Sequence, residues 1–119
     1  APPAPPPEVT LTFNFLGSPN LVFVCWVPSG QDANFTDVKT VIREGEQVRE
    51  EVRYGVKESD CGGAAGASLY MWQPGFYHYA VRACNNAGCS QWRDAYDDAR
   101  YWFTIPCADA SGAACARRR

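Results

Sequence analysis

From Val9 onward the chain alternates. Val9, Leu11, Phe13 and Phe15 are apolar while Thr10, Thr12 and Asn14 are polar, a period of two that lays one apolar face along a β-strand. A second strand, "LVFVCWV" from Leu21 to Val27, is bounded by the turn sequences "GSPN" and "PSG". A loop through Asn34 leads to "DVKTVIRE"; after Gly45 comes "QVREEVRYGVKES", in which Val48, Val52, Tyr54 and Val56 alternate largely with charged residues. Glu and Arg favour helix in Gln47 to Arg53, but the flanking β-branched residues keep the period of two, and a strand is expected. "DCGGAAGA" is expected to be a flexible loop, lacking both the Lys-Ser/Thr ending of a phosphate cradle and GxGxxG spacing. "SLYMW" is a short strand, Pro74-Gly75 a turn, "FYHYAVRAC" a further strand and "ARYWFTI", Ala99 to Ile105, the last. Short strands at turn-punctuated spacing, with no convincing helix, predict an all-β sandwich or barrel.

The pattern breaks at both ends and inside the second strand. Residues 1–7 hold five prolines and favour an extended polyproline II arm. Residues 8–106 form the domain, and residues 107–119, small and polar with Cys107 and Cys115, are expected as a tail closed by the solvated cluster Arg117-Arg118-Arg119. In "LVFVCWV", Val22, Val24 and Trp26 lie on one side and Leu21, Phe23, Cys25 and Val27 on the other, so both faces are apolar. An antiparallel sandwich strand should have one wet face. Burying Leu21, Phe23 and Val27 would stabilise by about 1.5–3 kcal/mol each. That second face therefore calls for a cover, either the chain's own tail or another subunit.

Composition narrows the class. A chain of 119 residues makes one domain with a single core. The net charge of −2 argues against a nucleic-acid partner. No apolar run approaches the roughly 20 residues that span a bilayer, so no membrane insertion is expected. Six cysteines in so small a chain point to an oxidising compartment, and the start at Ala1 suggests a processed, exported product. The expected location is secreted, in the extracellular space or at the cell surface.

The candidate chemistry is sparse. Cys84 and Cys89 are separated by Asn-Asn-Ala-Gly, a spacing open to half of a metal site, a redox pair or a staple across a turn. A structural zinc site wants four ligands, and there is no CxxC or second Cys/His pair. His78, the only histidine, shares a strand face with Cys84, but six residues along a strand is about 20 Å; it is expected as a plain surface residue. No Ser or Cys has a base in register, which leaves no triad to propose, and no cofactor is called for. The expectation is a non-catalytic protein. Asp94, Asp97 and Asp98 lack the spaced ligand ladder of a calcium loop and are expected as a solvated acidic loop. "NFT" at Asn34 is a glycosylation sequon in an expected loop.

These features together resemble a fibronectin type III domain. The prolines lead into strand A, Trp26 lies in strand B, and Tyr77, Tyr79, Val81, Ala83 and Asn85 match the strand F form Tyr-x-Tyr-x-Val-x-Ala-x-Asn. The closing "RACNNAGCSQW" is similar to a variant common in secreted bacterial proteins. The likeness covers roughly residues 6 to 106, with "RDAYDD" as an insertion before strand G and the Cys-containing tail outside it. It implies an immunoglobulin-like, two-sheet antiparallel sandwich, A-B-E against C-C′-F-G. Val22, Val24 and Trp26 would then face inward across from Tyr77, Tyr79, Val81 and Ala83, with Cys84 turned to solvent. Cys89 would sit opposite Cys84 across the F–G turn, which makes the pair a cross-strand disulfide contributing roughly 2 kcal/mol. Cys25 with Cys61, and Cys107 with Cys115, are the expected remaining pairs.

Two surfaces carry the functional expectation. One is the outer C-F-G face, where Arg82, Arg100 and Trp102 point outward with Trp92 at the margin, either as a self-contained cation–π stack or as a ligand surface for carbohydrate or a surface protein. The other joins Leu21, Phe23 and Val27 to the arm prolines Pro2, Pro3, Pro5, Pro6 and Pro7 as an assembly face. The leading expectation is a self-assembling structural subunit of an extracellular filament or fibre, its partner another copy of itself; the alternative is a carbohydrate- or protein-binding adhesion module. The family hosts spacers and recognition modules more often than catalysts.

Overall fold

The computed structural model describes residues 2–13, 21–27, 33–56, 59–60, 65–70, 75–98, 100–105 and 116–118. For residues 12–13, 21–22, 59–60, 65–70, 101, 105 and 116–118 it describes the backbone alone. Two antiparallel sheets face each other. The first has the spatial order β1 (Val9–Phe13), β2 (Leu21–Trp26), β6 (Ala65–Tyr70), β5 (Ser59–Asp60). The second has the order β11 (Ala116–Arg118), β10 (Tyr101–Ile105), β7 (Gly75–Asn85), β3 (Phe35–Glu44), β4 (Gln47–Val56), and the short β8 (Gly88–Cys89) and β9 (Arg93–Asp94) also pair with β7. No α-helix occurs among the described residues. The expected two-sheet antiparallel sandwich is what forms. Gln47 to Arg53 is strand, not helix.

The core lies where the period of two puts it. Register sets Val9 opposite Trp26 and Leu11 opposite Val24, and all four are buried. Across from them the second sheet buries Val38, Ile42, Tyr77, Tyr79, Val81, Ala83 and Phe103. The Phe103 ring stacks on Tyr79 at 5.3 Å and on Tyr77 at 6.0 Å between centroids. Burial pushes both phenols above the ordinary tyrosine range, Tyr79 the further.

Four features depart from the sequence expectation. Part of the expected "DCGGAAGA" loop is strand: β6 begins at Ala65, because Trp26 and Cys25 of β2 pair with Ala65 and Gly66 and supply ladder bonds whatever the local propensity. Within the expected tail, Ala116–Arg118 returns as an edge strand, pairing with Tyr101–Phe103. Ahead of the expected last strand, β10, the short β8 and β9 also pair with the same edge of β7, β9 falling within the expected insertion "RDAYDD". Between β9 and β10, a 3₁₀ turn over Ala95–Asp97 holds Tyr96 and Asp97 at φ 58° and 57°, a conformation that non-glycine residues rarely adopt. The return is a clamp between sheets. Tyr96 Oη donates to Leu11 O at 3.0 Å and accepts from Leu11 N at 3.2 Å, capping the outer edge of β1.

The fourth departure is the proline arm. It lies on its own domain: Pro3 and Pro6 are buried and Pro5 half-buried, with Pro2 and Pro7 exposed. Pro2 packs beside Gly88. Pro7 O accepts from Arg93 Nη2 at 3.2 Å, and Glu8 O from Val27 N at 3.0 Å. A polyproline segment loses little entropy when it is laid down, and here prolines expected in an assembly face pack on the chain's own domain. Deleting residues 1–7 should therefore lower stability, by about 1–3 kcal/mol. A melting temperature equal to that of the full chain would show that the arm is not docked.

Candidate interaction face

The outer face of the second sheet is built from residues one step out of phase with the core. Register sets Asp37 opposite Arg82, Lys39 opposite Ala80 and Val41 opposite His78. At Asp37 the β3–β4 register shifts, and Gly55 takes up the irregularity at φ 58°. The shift turns Gly55 N toward Asp37 Oδ1 (2.9 Å), while Arg82 Nε donates to Oδ2 at 2.9 Å. Asp37 is 1% exposed. A carboxylate so buried is tolerable only with its oxygens filled in this way.

Trp92 lies over this pair. Arg82 Cζ is 4.5 Å and Lys39 Nζ 4.8 Å from its ring centroid. Arg82 is thus engaged twice, by a carboxylate in the sheet and by an indole above it. The arginine-on-indole stacking expected for the Arg/Trp face forms at Arg82 and Trp92. Arg100 does not join it: its Nε and backbone N both bond Asp98 Oδ1, at 3.2 and 2.9 Å. Trp102 is half-buried, with its ring centroid 5.7 Å from that of His78.

His78 corrects the sequence reading. Expected as a plain surface residue, it is 4% exposed, and its Nε2 is hydrogen-bonded to Asp94 Oδ1 at 2.8 Å. Alternation puts it on the outer face, as expected, but β9 and β10 lay Asp94 and Trp102 over that face. A histidine–carboxylate pair is two-thirds of a triad. Yet almost none of this histidine reaches solvent, and Ser90 uses its hydroxyl to accept from Ala83 N and donate to Gln91 O. The expected solvated acidic loop is also differently arranged, since Asp94, Asp97 and Asp98 go to three separate partners, His78, Arg93 and Arg100.

Cys84 and Cys89 form the expected disulfide, at directly paired positions of β7 and β8. The expected exposure of Cys84 is corrected: it is 0% exposed, beside Phe35 and Asp37 of β3. Its sulfur is 3.5 Å from Asp37 Oδ2 but, being oxidised, has no hydrogen to donate. Ligand atoms of Asp37, Cys84 and Cys89 lie within 4.8 Å of one another, but a metal would need thiolates and these sulfurs are bonded to each other. Cys25 is disulfide-bonded. Its expected partner Cys61 and the expected pair Cys107–Cys115 fall outside the described residues. Asn34 is exposed, its backbone N–H bonded to Cys84 O at 2.8 Å.

On the proposed assembly face, Phe23 is half-buried, Cys25 buried and Val27 exposed; the Leu21 side chain lies outside the described residues. A larger open feature is β4, the last strand of the second sheet. Val48 is 57% and Tyr54 72% exposed. Whereas the edge of β1 is capped by Tyr96, nothing among the described residues pairs with the open side of β4. The alternation of β4 signalled the strand, but only the sheet order shows it to be an edge. Comparison with known proteins finds no family model that matches the chain and no curated protein similar to it.

Proposed function

We propose that this chain is a non-catalytic structural subunit that self-associates into an extracellular assembly, built on a fibronectin type III-like sandwich. The observation that carries the reading is the β4 edge, unpaired among the described residues, with its exposed Val48 and Tyr54, since an open strand is a template for pairing with another chain. Disulfides at Cys84–Cys89 and at Cys25 suit an oxidising location. The Arg82–Trp92 stack and the His78–Asp94 pair are satisfied within the chain, which favours contact by shape and edge over capture of a small ligand. The docked arm moves the proposed contact from the prolines to the sheet.

The test is light scattering after size exclusion, over a concentration series, with electron microscopy of native material. Species larger than a monomer, growing with concentration, are expected. A strict monomer that binds glycans or a surface protein would overturn the subunit reading in favour of the adhesion module.

A further inference from the structure

We propose that β4 pairs antiparallel with the β4 of a second copy across a two-fold axis at Glu50, an inference that rests on the subunit reading and names its partner. The β3–β4 hairpin turns in two residues, Gly45-Glu46, and closes on Glu44 opposite Gln47. Such a loop closes on a hydrogen-bonded pair. Gln47, Arg49, Glu51 and Arg53 therefore spend their backbone groups on β3, and Val48, Glu50 and Val52 turn theirs to the open edge.

Two copies bond only in registers that oppose these outward residues. Centring on Val52 carries the pairing to Tyr54 and Val56, across the irregularity at Gly55, and centring on Val48 sets Glu50 against Glu46 in the turn. Centring on Arg49 sets Val52 against Glu46 in the turn and Arg49 against itself, and centring on Glu51 sets Gln47 against Gly55 and pairs like charges, Arg49 with Arg53 and Glu51 with itself. Centring on Glu50 keeps every pair within Gln47 to Arg53. In that register Val48 meets Val52 twice on the outer face, and Arg49 meets Glu51 twice on the inner one. Within one chain Arg49 already pairs with Glu51 at 2.8 Å, so both side chains lie where a reciprocal exchange needs them. Charges usually protect an edge; these are ordered so that a copy of the same strand matches them. The one mismatch is Glu50 against Glu50 on the axis, which holds the contact weak. A two-fold contact closes on itself, so β4 makes a dimer, and any filament is a polymer of that dimer joined elsewhere.

The experiment compares the full chain with Glu50→Cys, Val52→Cys and Glu46→Cys under mild oxidation, and with Glu50→Gln and Glu50→Pro by light scattering. Paired residues on the axis lie about 5.5 Å apart, within disulfide reach, so Glu50→Cys should give a covalent dimer and the other two cysteine variants should not. Glu50→Gln should tighten the dimer about 1.5–5-fold by removing the like-charge pair. Glu50→Pro removes an outward N–H without touching the β3 ladder and should give a folded monomer; Val48→Lys, which sets a charge against Val52, is the second breaking variant. Crosslinking through Val52→Cys in place of Glu50→Cys would overturn the register and the proposal. An assembling parent whose mass is unchanged in Glu50→Pro and Val48→Lys, with no crosslink at Glu50→Cys, would overturn the β4 contact and leave the subunit reading standing. A parent that is monomeric throughout ends both.

Discussion

Trp26→Ala should cost about 3–5 kcal/mol, a large share of the stability of a domain this size. Trp26 is among the largest fully buried side chains, 1% exposed, on the inner face of β2 between Val9 of β1 and Ala65 of β6. Both neighbours are held in ladders, so the sheet cannot close over the void, and the loss includes the cavity as well as the transfer of the indole. Chemical denaturation would read the loss directly, and thermal melting should fall by roughly 10–20 °C. A folded variant with the parent's melting temperature would mean that the inward phase of β2 is wrong.

Arg82→Ala should cost about 3 kcal/mol, although the arginine is partly exposed. The cost arises at its partner. Asp37 has almost no access to water, and without Arg82 its carboxylate keeps only the Gly55 N–H while staying buried. Breaking a buried pair from one side is expensive, whereas replacing both partners by apolar residues of similar volume is often neutral. The double variant Asp37→Leu/Arg82→Met should therefore recover most of the loss in urea titrations. An Arg82→Ala protein within 0.5 kcal/mol of the parent, on the order of an ordinary surface substitution, would show that water reaches Asp37.

Asp37 and Arg82 also mark where sequence reasoning reached its limit. Both stand at outward positions of strands that the alternation located, and Arg82 was placed on the right face. What the alternation lacks is the register between β3 and β7, which sets these residues opposite each other across 45 positions of chain. A period of two names the face of a side chain, not its neighbour on the next strand. The same limit explains His78, whose cover comes from Asp94 and Trp102, and the arm, whose composition dictates extension but not the surface it lies on.

The sequence by itself determined the all-β class, which follows from local rules, side-chain alternation and turn residues. The two-sheet sandwich, the inward set of Val24, Trp26, Tyr77, Tyr79, Val81 and Ala83 and the Cys84–Cys89 disulfide came through the resemblance. The tertiary structure alone decided that Cys84, His78 and Asp37 are buried, that Ala116–Arg118 joins the second sheet, that Tyr96 caps β1 at Leu11 and that β4 is an edge unpaired among the described residues. Each of those depends on contacts between segments distant in the chain, where burial is set by whatever packs on top and edge status by which strand is placed last. No periodicity within a single strand carries that information.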